Sequence, residues 1–278
     1  MNNAIGKADF ERLSSFIYDR LGICLNASKK TMLEGRLSKR LRALGHDSVG
    51  DYCEFLFSNE GQNHELVHLF DAVTTNKTDF FREPSHFDFL TSKILPAWQQ
   101  HSFNRPFYLW SAGCSSGEEP YTLAMVLDDY AKKSCGQRFD FEIIATDIST
   151  KVLDHAKKAI YHHDRVVPVP EVLRRRYLLR SKDRSNPLVR IAPEIRKKVR
   201  FGRLNFMDDQ FSLPHTMDVI FCRNVIIYFD NKTQEILMNK FCRHLRPGGN
   251  LFLGHSESLQ GYQVPLQQIS PTVYAYRG

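Results

Sequence analysis

The sequence predicts an α/β protein, in which a small all-α domain precedes a Rossmann-like, doubly wound domain with a small inserted β-subdomain. Three observations support this prediction. Apolar residues recur at helical spacing up to residue 73, and short apolar runs then alternate with helical patterns. The stretch from about 161 to 200 interrupts that alternation, as an insertion would.

The N-terminal domain is assigned to residues 1–73. Its apolar positions repeat every three or four residues, as in amphipathic helices: Phe10, Leu13, Phe16, Ile17, Leu21, Leu33, Leu37, Leu41 and Leu44. Gly22 and Gly45 stand where helix ends favour a residue that tolerates positive φ. The pattern indicates about four helices, followed by a linker over residues 74–90.

The doubly wound domain is assigned to residues 91–278. Short apolar runs predict strands at Phe107–Trp110, Phe141–Ala145, Val199–Leu204, Met217–Cys222 and Leu251–Leu253. Helical patterns lie between them at Glu118–Tyr130, Ser149–Lys158 and Lys232–Leu245. The insertion is predicted to have a short helix at Glu171–Leu179 and a strand of its own at Leu188–Ile191. Strands that alternate with helices indicate a parallel sheet covered on both faces.

Composition and charge are those of an ordinary globular protein, and no apolar stretch is long enough to predict a membrane-spanning helix or membrane insertion. The N-terminus lacks the plan of a secretory signal, so we expect a cytoplasmic protein. The net charge of +7 indicates an acidic partner, and nucleic acid, a membrane surface and an acidic protein all have that character. Six scattered cysteines and the adjacent His162 and His163 have no metal-ligand spacing, which predicts no metal site and mostly buried, reduced thiols.

A small-residue loop, Ser111 to Pro120, follows the first predicted strand of the main domain. Such a loop lets a cofactor approach the backbone closely, here over Gly113. Glu118 and Glu119 would repel a pyrophosphate at the following helix N-terminus. A cationic cofactor without phosphate fits better, and S-adenosyl-L-methionine has that character.

Polar residues follow three further predicted strands, at the edge where open α/β sheets bind ligands. Asp147 can accept hydrogen bonds from both ribose hydroxyls, or it can cap the helix that begins near Ser149. Asn205 with Phe206 suits hydrogen bonding and stacking near an adenine. Arg223 and Asn224 follow the strand that ends at Cys222.

Four segments resemble the CheR family of chemotaxis receptor methyltransferases, in matching order over nearly the whole chain. They run over residues 75–83 (TNKTDFFRE), 116–121 (SGEEPY), 221–229 (FCRNVIIYF) and 254–257 (GHSE). The resemblance implies an S-adenosyl-L-methionine-dependent protein-glutamate O-methyltransferase, with S-adenosyl-L-homocysteine as the product. Its substrate would be glutamate side chains of bacterial chemoreceptors, esterified for sensory adaptation by an enzyme recruited to receptor arrays.

The resemblance also implies which residues form the cofactor site. In the linker, Asn76, Thr78 and Arg82 should close over the cofactor. The pocket would be completed by Glu118 or Glu119, Asp147, Asn205, Phe206 and Asn224, beside Gly113 and Arg223. In some family members the insertion binds a receptor's C-terminal pentapeptide through a glycine-containing loop, and residues 181–187 contain no glycine here.

A glutamate carboxylate is ionised near pH 7, so its methylation needs positioning and exclusion of water but no general base. Arg82 and Tyr228 are the candidate catalytic residues. The guanidinium of Arg82 can pair with the carboxylate, and the Tyr228 hydroxyl can direct one oxygen. Simple packing is the alternative role for Tyr228.

A basic stripe is predicted on the helix from about Ser28 to Leu44. At 100° per residue Lys29, Arg36 and Arg40 share one face, with Lys39 at its edge. This stripe would bind the acidic, helical coiled coil of a receptor, although a solvated basic face is the alternative. Regulatory proteins could also bind this domain.

Two rival functions remain open at this stage. One is a nucleic-acid or small-molecule methyltransferase on the same fold. Enzymes that methylate an exocyclic base amine often carry an Asn/Asp-Pro-Pro-aromatic motif after the fourth strand, where residues 223–226 read RNVI. We therefore expect no nucleic-acid partner. The other rival is a non-catalytic adaptor that docks on receptors.

Overall fold

The N-terminal region is all α, as predicted. A computed structural model describes residues 4–101, 105–133, 139–183 and 185–278. Five helices form this region among the described residues, rather than about four: Lys7–Leu21 (α1), Lys30–Leu44 (α2), Val49–Phe57 (α3), Asn59–His64 (α4) and Leu66–Val73 (α5). The extra helix boundary arises at Ser58, whose side chain accepts from Gly61 N and starts a new helix directly after α3.

The apolar stripes of α1 and α2 pack on α3 and α5 to form a helical core. Leu13, Ile17, Leu33, Leu37 and Leu41 are fully buried in it. The glycine prediction is confirmed, because both C-cap glycines are left-handed: Gly22 has φ of 71° and Gly45 has φ of 74°. Each therefore ends its helix at the predicted place.

The linker runs without regular structure from Thr74 to Pro84 and then becomes helical. The helical part comprises Ser85–Phe89 (α6), a π-helical turn over Leu90–Ile94, and Leu95–Gln100 (α7). His86 and Phe87 are buried against the main sheet. The linker is thus packed onto the larger domain.

The larger domain is built on a seven-stranded sheet. Its strands are Phe107–Ala112 (β1), Phe141–Asp147 (β2), Val199–Arg203 (β6), Met217–Cys222 (β7), Leu245–Leu253 (β8), Leu266–Ser270 (β9) and Val273–Tyr276 (β10). Their order is β6-β2-β1-β7-β8-β10-β9, and all pairs up to β8 are parallel. The predicted doubly wound sheet is confirmed, and an antiparallel hairpin, β9–β10, extends its edge.

Helices cover both faces of the sheet and create two apolar layers. They are Glu118–Lys133 (α8), Thr150–Lys158 (α9) and Asn231–His244 (α12). The strand order reverses between β1 and β7. Ligands bind at such a switch point, beyond the carboxyl ends of the strands.

The insertion carries its own small sheet, as predicted, and the strands of that sheet are antiparallel. Its elements are Ile160–His162 (β3), Glu171–Tyr177 (α10), Leu178–Arg180 (β4), Leu188–Ile191 (β5) and Pro193–Arg196 (α11). The three strands pair in the order β3-β5-β4. Val199 and Arg200 already belong to β6 of the main sheet, because their backbone pairs with β2.

The thiols are distributed largely as predicted. Cys53, Cys114, Cys222 and Cys242 are buried and free, whereas Cys24 is exposed. Cys135 lies outside the described residues. No helix in the described part of the chain has both the length and the apolar character needed to cross a bilayer.

Candidate functional site

A cavity of about 620 Å³ lies at the carboxyl ends of the parallel strands, within the size range of small-molecule sites. Its walls come from three parts of the chain. The helical domain supplies residues from the end of α1 and from α2, the linker supplies residues 74–78 and Arg82, and the sheet supplies the loops after β1, β2, β6 and β7. Both domains therefore form the site.

The loop between β1 and α8 requires glycine at two positions. Gly113 lines the cavity with φ of 83°, and a Cβ there would lie 2.6 Å from Val225 Cγ2. Gly117 has φ of 96°, and its Cβ would lie 2.8 Å from the Tyr161 hydroxyl. The left-handed backbone and the close approach both exclude larger residues.

Asp147 lies at the end of β2 and is only 8% exposed. Its Oδ2 accepts from Ser115 N (2.8 Å) and its Oδ1 accepts from Ser149 N (3.0 Å). Burial raises the pKa of Asp147, while these backbone N–H groups act in the opposite direction. The helix-cap reading needs correction, because Ser149 is the N-cap of α9 and its own hydroxyl accepts from Val152 N.

The two acidic residues at the start of α8 point in different directions. Glu119 lines the cavity, where its carboxylate accepts from Ser111 Oγ (2.7 Å) and Arg223 Nε (2.7 Å). Glu118 is not among the cavity-lining residues, and its carboxylate accepts from Ser116 Oγ and Arg165. Of this pair, the structure therefore brings only Glu119 to the predicted site.

The loop after β7 brings Arg223 and Asn224 to the cavity wall. Asn224 adopts a left-handed φ of 59°, and a Cβ on Gly254 would lie 2.5 Å from its Nδ2. Buried Glu257 holds this loop by accepting from the backbone N–H groups of Asn224, Ile226 and Gly254. Burial raises the pKa of Glu257, and those N–H groups oppose the shift.

The linker residues Asn76, Thr78 and Arg82 all line the cavity. Ser115 Oγ donates to the Asn76 carbonyl (2.8 Å), and Arg223 Nη1 donates to the Arg82 carbonyl (2.7 Å). The Arg82 side chain is half-buried, with a hydrogen bond of 3.3 Å to the Lys77 carbonyl. Side chains of the sheet domain thus hold the linker backbone at the cavity.

Asn205 and Phe206 also line the cavity, and the Asn205 side chain in addition bonds to the helical domain. Its Nδ2 donates to the Arg20 carbonyl in α1 (2.8 Å), while its Oδ1 accepts from Met207 N. Phe206 packs edge-on against Phe241. Asn205 therefore joins the helical domain to the cofactor side of the sheet.

Tyr228 lines the cavity opposite Arg36 of α2. The Arg36 guanidinium donates to the Val73 carbonyl and to Thr75 Oγ1 (2.7 Å). Burial lowers the pKa of Arg36, and the neighbouring Tyr228 hydroxyl acts against that shift. The tyrosine and this arginine therefore face the same space from different domains.

The predicted basic stripe on α2 needs one correction. Arg40 forms a two-bond ion pair with Glu65 of the helical domain (2.5 and 2.8 Å), and Glu65 also accepts from the Tyr52 hydroxyl. Because Glu65 is only 2% exposed, Arg40 neutralises a buried charge and is unavailable to a partner. Lys29 and Lys39 remain exposed.

Sequence reasoning missed a buried polar network beneath the linker. Glu83 and His86 contact Arg223, and His86 Nε2 bonds to Thr272 Oγ1 (2.8 Å). Burial and the Arg223 charge lower the pKa of His86 to about 4, so this ring is neutral near pH 7. Glu83 lies in the 75–83 segment, but its partner Arg223 is 140 positions away in the sequence, so spacing along the chain gave no sign of the contact.

Glu83, His86 and His255 converge closely enough to hold a metal ion. However, Arg223 Nη1 lies 3.3 Å from His86 Nδ1 and 3.4 Å from Glu83 Oε2. A guanidinium at that position repels a second cation. The cluster is therefore better described as an internal ion-pair network.

The cavity fits a cationic nucleoside cofactor. Glu119 and Asp147 supply buried negative charge, and the loop at Gly113 lets a ligand contact the backbone closely. The residues that follow this loop in the sequence contain no basic run that would bind a pyrophosphate. Together with the doubly wound sheet, these features define the class of S-adenosyl-L-methionine-dependent methyltransferases.

Comparison with known proteins defines the family. Residues 8–74 match the CheR methyltransferase all-alpha domain, and residues 76–275 match the CheR methyltransferase SAM-binding domain. The chain belongs to the CheR methyltransferase family and is a methyltransferase that uses S-adenosyl-L-methionine.

Individual relatives agree with this family. A chemotaxis protein methyltransferase of Borreliella burgdorferi is 42% identical, over 99% of this chain and 96% of its own length. One from Escherichia coli is 38% identical, over 98% and 92%. The solved glycopeptide N-methyltransferase MtfA with S-adenosyl-L-methionine is more distant, with a TM-score of 0.34 and 13% identity over 63% of this chain and 55% of that chain.

Proposed function

We propose that this enzyme methylates glutamate side chains of bacterial chemoreceptors, forming methyl esters that serve sensory adaptation. The observation that carries the proposal is the distribution of charge around the cavity. Lys29, Arg36, Lys77 and Arg82 line its exposed or half-buried parts. Glu119 and Asp147 are buried, and buried Arg223 on the same wall is shared by Glu119 and Glu83. An acidic side chain is attracted to the cations, and the cofactor's positive groups are attracted to the inner carboxylates.

The reaction needs little proton chemistry, because a glutamate carboxylate is ionised near pH 7. S-adenosyl-L-methionine supplies an electrophilic methyl group, and the protein must align a carboxylate oxygen with it. Alignment of this kind lowers a barrier by roughly 7–11 kcal/mol. A site closed by two domains also excludes the water that would otherwise solvate the carboxylate.

Arg82 and Tyr228 are proposed to act on the carboxylate itself. Arg82 reaches the cavity from the linker, and Tyr228 reaches it from the loop after β7. A guanidinium can pair with one carboxylate oxygen and a phenol hydroxyl can donate to the other, and each oxygen keeps a second lone pair that can attack the methyl carbon. Lys29, Arg36 and Lys39 would attract the acidic helix that carries the target glutamate.

Transfer of radiolabelled methyl to purified receptor cytoplasmic fragments tests the proposal. We expect label that alkali releases as methanol, because esters are base-labile whereas N-methyl groups are not. A fragment with the target glutamates changed to alanine is the matched acceptor control. Alkali-stable label, or labelling of nucleic acid in place of receptor, would contradict the proposal.

A further inference from the structure

Arg165 holds together three parts of the chain. It lies in a 3₁₀ turn, His163–Val166, at the start of the insertion. Its Nη1 donates to Asp79 Oδ1 (3.0 Å), and its Nη2 donates to the Thr78 carbonyl and to Glu118 Oε1 (2.8 Å). One guanidinium thus fastens the insertion and the middle of the linker to the first turn of α8.

The Arg165 guanidinium lies between two carboxylates, those of Asp79 and Glu118, and pairs with both. Glu118 is only 1% exposed, and Arg165 is the cation that pairs with it among the described residues. Asp79 binds the same guanidinium from the solvent side. Without that cation, a buried carboxylate would lose its counter-charge beside a second carboxylate, and their repulsion would push the linker away from α8.

Among the described residues, other contacts fix the linker on both sides of Thr78. On the C-terminal side, Phe80 is buried and packs edge-on against Tyr161 of the insertion. Ser115 Oγ holds the Asn76 carbonyl, and Thr122 Oγ1 accepts from Phe81 N (3.2 Å). Between these two attachments, the backbone carbonyl of Thr78 is held by Arg165. Thr78 lines the cofactor cavity, so its position there depends on the arginine.

We propose that Arg165 is a positioning residue that makes cofactor affinity depend on the placement of the insertion. Arg165 is not among the residues that line the cavity, and it would act through Thr78 and Glu118. Such coupling is reciprocal, so cofactor binding also favours the docked position of the insertion. The inference depends on cofactor binding alone, and the identity of the methyl acceptor does not enter it.

Calorimetric titration of the full chain with S-adenosyl-L-homocysteine tests the proposal. Arg165→Met should weaken affinity about tenfold, the effect expected when a charged hydrogen bond is lost. Arg165→Lys keeps the positive charge but lacks the several N–H donors of a guanidinium, so its affinity should lie between those of the parent and Arg165→Met. Arg175→Met is the matched control, because Arg175 is exposed on the same insertion and pairs with Glu171 one helical turn away. It should bind like the parent.

A second substitution distinguishes this role from simple destabilisation. Asp79→Asn removes one of the two facing carboxylates, so Arg165→Met with Asp79→Asn should recover part of the lost affinity. Parent-like affinity in Arg165→Met, or no recovery in the double variant, would overturn the proposal. Failure of receptor methylation would overturn the proposed substrate and leave these titrations unaffected.

Discussion

Individual carboxylates in the site differ in role because their surroundings differ. Asp147 accepts two backbone N–H bonds and lines the cavity, Glu119 shares Arg223 with Glu83, and Glu118 is directed away to Arg165. Each carboxylate oxygen offers more than one lone pair, so Asp147 can bind two N–H groups and still accept ribose hydroxyls. Its structural and ligand-binding roles are therefore compatible.

Asp147→Ala should weaken binding of S-adenosyl-L-homocysteine, because the ribose hydroxyls lose a charged acceptor worth roughly 1.5–3 kcal/mol. Since the substitution also frees Ser115 N and Ser149 N, a modified ligand is needed to isolate the ribose contact. The parent should bind a 2′-deoxy analogue more weakly than S-adenosyl-L-homocysteine, and the variant should not distinguish them. Equal discrimination by both proteins would show that Asp147 only supports the loop.

Arg82→Ala should reduce both the single-turnover methylation rate and cofactor affinity, because Arg82 lines the cavity and is proposed to pair with the reacting carboxylate beside the cofactor. Rapid-quench kinetics with receptor fragments and calorimetry measure the two effects separately. Arg82→Lys should recover less than full activity, since a lysine cannot form the paired contact. Lys93→Ala, in the π-helical turn, is a control that should leave both values unchanged.

At the scale of elements, α2 combines a buried apolar row with basic residues of unequal availability. Arg40 is committed to Glu65, and removal of one member of a buried ion pair costs about 3–5 kcal/mol. Arg36 is anchored at Val73 and Thr75. A test of receptor binding that substitutes Arg40 would therefore mainly report lost folding stability.

Lys29→Glu with Lys39→Glu should raise the Michaelis constant for receptor and weaken its dependence on salt, because an acidic helix would lose attraction to α2. Cofactor affinity should stay as in the parent. Arg42→Glu, which reverses an exposed charge further round the same helix, serves as the control. Unchanged receptor kinetics at low ionic strength would show that these lysines lie on a solvent-exposed face that does not bind the receptor.

The whole molecule is organised by a contact between its domains beside the cavity. The Tyr18 hydroxyl donates to Asp230 Oδ2 (2.6 Å), Asn205 donates to the Arg20 carbonyl, and Cys24 N donates to the Tyr228 carbonyl (2.9 Å). Gly22 lies within this contact, where a Cβ would be 2.7 Å from Met207 Sδ. Cofactor affinity should thus depend on how closely α1 approaches the sheet domain.

Gly22→Ala and Gly45→Ala form a matched pair that tests this dependence. Both glycines end helices of 15 residues at nearly equal positive φ, so each substitution should cost about 1–2 kcal/mol of folding stability. A Cβ at Gly45 meets no atom within 4 Å, whereas one at Gly22 collides with Met207. Only Gly22→Ala should weaken cofactor binding by calorimetry. Equal affinities of the two variants for S-adenosyl-L-homocysteine would show that cofactor binding does not depend on the contact between the domains.

Local patterns in the sequence determined most of the architecture. Helical periodicity located α1 and α2, glycines marked their ends, and the alternation of strands with helices specified the parallel sheet. The loop around Gly113, Asp147 after β2 and Asn224 after β7 all reach one cavity, because the carboxyl ends of parallel strands meet at one edge. These features depend on spacing along the chain, which can be read directly.

Only the tertiary structure decided which charges are free and which are paired. The sequence could not distinguish Glu118 from Glu119, or show that Arg40 pairs with Glu65 and Arg165 with Asp79. The antiparallel hairpin β9–β10 was also missed. These ion pairs join residues from 25 to 104 positions apart. Their partners are set by three-dimensional packing, and no repeating pattern along the chain encodes that packing.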